Sequence, residues 1–133
     1  MFLRPLNNEQ KELFLDLALA AASANDVIEK KEKYLLEAYA DEMGIDVSLA
    51  KAKNVEDICS KLKEISTSVE LNQISFEIVG MMLSDNEYDE DEKVFIEKMA
   101  SIFAIPLERI EEMLACVNDY TKLITRINTI MFE

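Results

Sequence analysis

Six carboxylates crowd into the eight residues 85–92, Asp85-Asn86-Glu87-Tyr88-Asp89-Glu90-Asp91-Glu92. Charges packed so densely repel one another, so a helix N-terminus, solvent or a cation must offset the repulsion. Oxygen donors of this kind suit a hard divalent cation such as Mg²⁺, Ca²⁺ or Mn²⁺. The best-placed ligands are Asp85, Asp89 and Glu92, and an earlier acidic turn adds Asp26, Glu29 and Glu32. Helix grammar alone accounts for part of the same run. Asn86 tolerates the left-handed conformation that ends a helix, Tyr88 can turn its ring inward, Asp89 caps, and Glu92 reaches back to close a capping box. The surplus charge is what this grammar leaves over. An EF-hand is excluded, because a loop opening at Asp85 has Glu90 where glycine is needed and Ile96 where the bidentate glutamate belongs.

Histidine and tryptophan are absent. Imidazole bases, Ser-His and Cys-His pairs and histidine metal ligands are therefore excluded. Paired carboxylates do acid and base work only in a cleft that holds them in different environments, whereas these acids cluster on turns, so the expectation is a protein that is not an enzyme. Ser66, Thr67 and Ser68 read as helix caps, and neither Gly44 nor Gly80 lies in a glycine-rich phosphate loop. Cys59 and Cys116 fall at apolar positions of helical patterns, outside any metal-ligand spacing, and are expected to be reduced core thiols.

Lys plus Arg number 14 and Asp plus Glu 27, so the formal charge is 14 − 27 = −13. Such a surface repels phosphate backbones, which argues against direct nucleic-acid binding. It attracts cations or a protein partner with a basic surface. An acidic interaction protein that mimics nucleic acid and needs no metal is the competing reading. Asp16 interrupts the apolar residues 13–22, so no secretory h-region is expected, and no segment reaches the roughly 20 apolar residues of a membrane span. The expected location is the cytoplasm.

The elements that must position these carboxylates are helices. Half of the 133 residues are apolar (50%), 31% are charged, and the only breakers are Gly44, Gly80, Pro5 and Pro106. This is too apolar for disorder and too unbroken for a turn-rich β protein. Apolar residues at helical spacing, with their caps, predict helices over about 8–24, 30–43 and 46–53, then from Asn54 to about Ile65 and from Thr67 through Met82. Thr67 with Glu70 makes a capping box, and Gly44 makes a C-terminal stop. Asp89 with Glu92 opens the next helix, which bears Val94, Phe95, Met99, Ile102 and Phe103, and Pro106 suits the first turn of a last region that is either one long helix or two short ones with a break near Asn118-Asp119. Its stripe of Leu107, Ile110, Leu114, Val117, Ile124, Ile127 and Met131 is expected to pack on the rest. Met81, Met82, Met99 and Met113 read as core filler. The architecture expected for residues 1–133 is one all-α domain, a compact bundle of about six to eight helices.

Residues 24–45 align with residues 84–105 at a constant offset of 60. Glu32 matches Glu92, Lys33 matches Lys93, Glu37 matches Glu97, Ala40 matches Ala100, and Ile45 matches Ile105. Conservative pairs such as Glu29 with Asp89, Ile28 with Tyr88 and Met43 with Phe103 keep the turn chemistry and the apolar stripe. The expectation is a duplicated helix, acidic turn, helix unit with copies over about 13–45 and 73–105.

The run Ser84-Asp85-Asn86-Glu87-Tyr88, then Glu92 and a helix that ends just before Ile105, resembles the TerB-like (tellurite-resistance) family. The likeness covers about residues 10–120. Asp85, Tyr88 and Glu92 match the motif. In the first copy Ile28 and Glu32 match, while Asn25 stands where the family has Asp and Asp26 where it has Gly. The resemblance implies an all-helical, non-catalytic module associated with stress or tellurite resistance, with a divalent-cation site formed by its acidic turns.

Overall fold

A computed structural model describes residues 3, 5–22, 30–44, 54–83 and 90–132, with the side chains of residues 30–33 and 35 outside the description. The described residues form six α-helices and no strand: α1 Asn8–Ala22, α2 Lys30–Met43, α3 Val55–Ile65, α4 Ser68–Met82, α5 Glu90–Phe103 and α6 Leu107–Phe132. The all-α expectation holds. The short helix expected over 46–53 lies outside the described residues.

Local signals set the helix starts. At α1, the Asn7 side chain accepts from the Gln10 amide (2.8 Å) and the Gln10 side chain accepts from the Asn7 amide (3.0 Å). The same reciprocal box opens α4, where Thr67 N–H donates to Glu70 Oε1 at 2.8 Å and Glu70 N–H to Thr67 Oγ1 at 3.2 Å. The Glu70 carboxyl is held below its usual range, mainly by the Thr67 amide and further by Gln10 and the Thr67 hydroxyl. The two boxes adjoin. Gln10 is 1% exposed, and its Nε2 donates to Ser66 Oγ at 3.0 Å, tying the start of α1 to the α3–α4 junction. Asn54 caps α3 by accepting from Glu56 N–H at 2.8 Å.

The helix bounds repeat at an offset of 60 residues. α1 and α2 superpose in number on α4 and α5 at both ends of each helix. Burial follows the same offset, with Leu36, Tyr39, Ala40 and Met43 of α2 matched by Ile96, Met99, Ala100 and Phe103 of α5. Both units also stop alike. Gly44 (φ 71°) and Ala104 (φ 57°) occupy the left-handed region, and each N–H donates to the carbonyl three residues back at 3.2 Å. A methyl on Gly44 would meet nothing within 4 Å, so its cost is backbone strain alone. Gly44→Ala is expected to lose about 1 kcal/mol, and Ala104→Gly to gain less than that because glycine also loosens the unfolded chain. Urea denaturation of the two variants checks both signs.

α1 packs against α2, α3 and α4; α3 packs on α5, and α4 on α5 and α6. Phe14 and Tyr39 meet edge to face in the centre, with ring centroids 5.1 Å apart at 89°. Met81, Met82, Met99 and Met113 are buried, as core filler should be. Leu3 and Leu6 tuck onto the body, and the Leu3 N–H donates to Glu42 Oε2 at 3.0 Å.

The structure decides the points the sequence left open in the last helical region. Pro106 takes the N-cap position, outside the first turn, and its carbonyl accepts from the Arg109 and Ile110 amides at 3.0 and 3.3 Å. No break occurs at Asn118-Asp119, because nothing there forces one. Instead Thr121, Thr125 and Thr129 each donate their hydroxyl to the carbonyl four residues back at 3.0 Å, which keeps their hydrogen bonding within one 26-residue helix. Nor does the stripe pack along its length. Ile110, Met113 and Val117 are buried, whereas Leu107 and every residue of 118–132, Ile124, Ile127 and Met131 included, are exposed.

Candidate functional site

The acidic run leads directly into α5. Its first turn carries Glu90, Asp91 and Glu92, three carboxylates at the positive end of the helix dipole. They divide by environment: Glu90 and Asp91 are exposed, while Glu92 is 7% exposed. Glu92 is the third residue of α5, and Glu32 is the third residue of α2, so the two glutamates stand at the same step of corresponding helices. The Glu32 side chain lies outside the described residues, as do Asp26, Glu29, Asp85 and Asp89 entirely. Among the described residues, no three carboxylates or thiolates gather in a group able to hold a metal ion.

Two further acids are buried that no motif singled out. Asp16 on α1 is 3% exposed and Glu77 on α4 is 8% exposed, and like Glu92 each is engaged by interactions with its surroundings. Their signal in the sequence is a charged residue set between apolar ones, Leu15-Asp16-Leu17 and Phe76-Glu77-Ile78. Near Glu77, the Tyr39 Oη donates to the Glu77 backbone carbonyl at 3.0 Å. Burial raises the Tyr39 phenol far above its usual range, and the Glu77 and Glu42 carboxylates push it in the same direction. A phenol held neutral in this way anchors α2 to α4 and does not titrate in ordinary solution.

The two thiols differ, which corrects the expectation that both are buried. Cys59 is 0% exposed, and burial pushes its thiol up to about 12, only partly countered by Lys98. Cys116 is exposed, because it stands beside the buried stripe of α6 where no helix covers it. One thiol per chain is therefore expected to react with an aromatic disulfide reagent in native protein, and two after denaturation. Cys116→Ser should abolish the native signal. The raised Cys59 value also has a sign: its contribution is intact below about 8.5, the unfolded thiol's value, and folding stability falls as pH climbs from there towards 12.

No helix among the described residues is long and apolar enough to cross a membrane. No protein-family model and no curated protein matches the chain. Among solved structures, the fold is similar to that of a tellurite resistance protein from Nostoc punctiforme, with a TM-score of 0.72 and 21% identity over 96% of this chain and 84% of that one. The TerB-like resemblance read from the acidic turns is thus borne out in the fold.

Proposed function

We propose that this chain, which shares the fold of a tellurite resistance protein, is a non-enzymatic cytoplasmic module of stress or tellurite-resistance type whose acidic inter-helix turns bind a divalent cation or a basic protein surface. The ligands are Asp85, Asp89 and Glu92, joined by Asp26, Glu29 and Glu32 of the earlier turn. The observation that carries the reading is Glu92. It is the motif glutamate and the one carboxylate of the first turn of α5 drawn out of solvent, at the end of a run of six acids. A carboxylate fixed there lets the other ligands complete an oxygen shell without having to organise the whole of it.

Calorimetric titration of chelator-stripped protein with Mg²⁺, Ca²⁺ and Mn²⁺ tests the proposal. Saturable binding is expected in the wild type and is expected to vanish in the double variant Asp85→Asn/Glu92→Gln, while thermal unfolding of the metal-free variant stays cooperative. Absence of heat in both proteins would sink the cation site. The −13 charge would then favour the second reading, an acidic interaction protein that occupies a basic groove in the manner of a nucleic acid.

A further inference from the structure

The outer half of α6 is an amphipathic helix that the other described residues leave exposed. Ile110, Met113, Val117, Tyr120, Ile124, Ile127 and Met131 follow one another at alternating steps of three and four, the spacing of a coiled-coil seam. The first three are buried where α6 packs on α4 and α5. Beyond Val117 the seam continues into solvent, with Tyr120 56%, Ile124 39%, Ile127 38% and Met131 61% exposed, and Leu123 and Ile130 broaden it on one side. At 100° per residue these six side chains share an arc of about 120°, bordered beside Ile130 by Asp119 and Arg126, with Lys122, Thr125 and Thr129 opposite.

We propose that this arm pairs with the same arm of a second copy, antiparallel, to make a homodimer. Charge supports that occupant. Residues 118–133 hold Asp119 and Glu133 against Lys122 and Arg126, a net of zero, so the whole −13 resides in residues 1–117. The arm carries none of the net charge, so the paired segments of two copies meet there without net repulsion. Antiparallel pairing sets the acidic bodies at opposite ends of an arm of 15 residues, about 22 Å long and beyond two screening lengths at physiological salt. A parallel pair would hold the bodies side by side. The face is flanked by Thr121 and Asn128 on one side and, beyond Leu123 and Ile130, by Asp119 and Arg126 on the other, whose charges cancel, so the flanks carry no net charge that would reject an identical helix. The area suffices: six side chains from each copy, at on the order of 100 Å² each, reach the lower bound of a stable interface. An anionic membrane, the other surface that takes an amphipathic helix, is opposed by the charge of the body.

Sedimentation velocity up to roughly 200 µM protein tests this directly. The wild type is expected at 2 × 15.2 = 30.4 kDa, and Ile124→Glu/Ile127→Glu at 15.2 kDa with cooperative unfolding retained. Wild type that stays at 15.2 kDa overturns the proposal, and so does wild type that remains monomeric alone yet co-sediments with phosphatidylcholine/phosphatidylglycerol vesicles. A variant that dimerises as well as the wild type also overturns it. Spin labels on the exposed Cys116 read the orientation. Antiparallel arms that set Ile124 against the partner's Ile127 place the two labels roughly 30 Å apart at 1.5 Å per residue, and a separation under about half of that refutes antiparallel pairing.

Discussion

Ile96→Asp is expected to unfold the protein outright, whereas Val94→Asp, two residues earlier on the same helix, is expected to change stability by less than about 0.5 kcal/mol. Ile96 is 0% exposed on the helix that packs against α3 and α4, while Val94 is 53% exposed. An aspartate at 96 loses the transfer energy of a buried isoleucine and puts an unpaired carboxylate in its place, together roughly 5 kcal/mol or more. Domains of this kind have about 5–15 kcal/mol of stability in all. Far-UV circular dichroism and urea titration of both variants decide the matter. A folded Ile96→Asp chain would mean that α5 can roll or admit water, and that its role in fixing Glu92 is weaker than the packing indicates.

Phe14→Ala should cost about 3–5 kcal/mol, the usual range for deleting a fully buried phenylalanine. Phe14 is 0% exposed, and its edge-to-face contact with Tyr39 adds a term that burial area alone omits. Because Tyr39 also anchors α2 to the Glu77 carbonyl of α4, the cavity falls where three helices are tied together. The double variant Phe14→Ala/Tyr39→Ala should therefore cost less than the sum of the single variants. A strictly additive result would show that the two rings stabilise the core independently. Phe14→Leu, which keeps most of the volume, should cost no more than about 1.5 kcal/mol.

The sequence alone predicted the described helices and most of their ends. Asn7 with Gln10, Asn54, Thr67 with Glu70, and Gly44 act through hydrogen bonds and dihedral angles a few residues apart, so their effects are written locally. The apolar stripe of α5 was legible in part: Phe95, Met99 and Phe103 are buried as read, whereas Val94 is exposed and Ile96, off the expected stripe, is buried. The family likeness was legible too, and a solved structure shares the fold. Glu92 was legible as a motif residue and Asp16 and Glu77 were not, since a charged residue inside a stripe reads as an interruption until the facing helices are in place. Tertiary structure alone decided what each stripe faces. Residues 110–117 and 120–131 of α6 share one periodicity, yet Ile110 is buried and Ile130 is 71% exposed; Cys59 is enclosed and Cys116 is not. Periodicity names the side of a helix that prefers to leave water. Whether that preference is met depends on how far the neighbouring helices reach, and in this chain α4 and α5 end their cover at Val117.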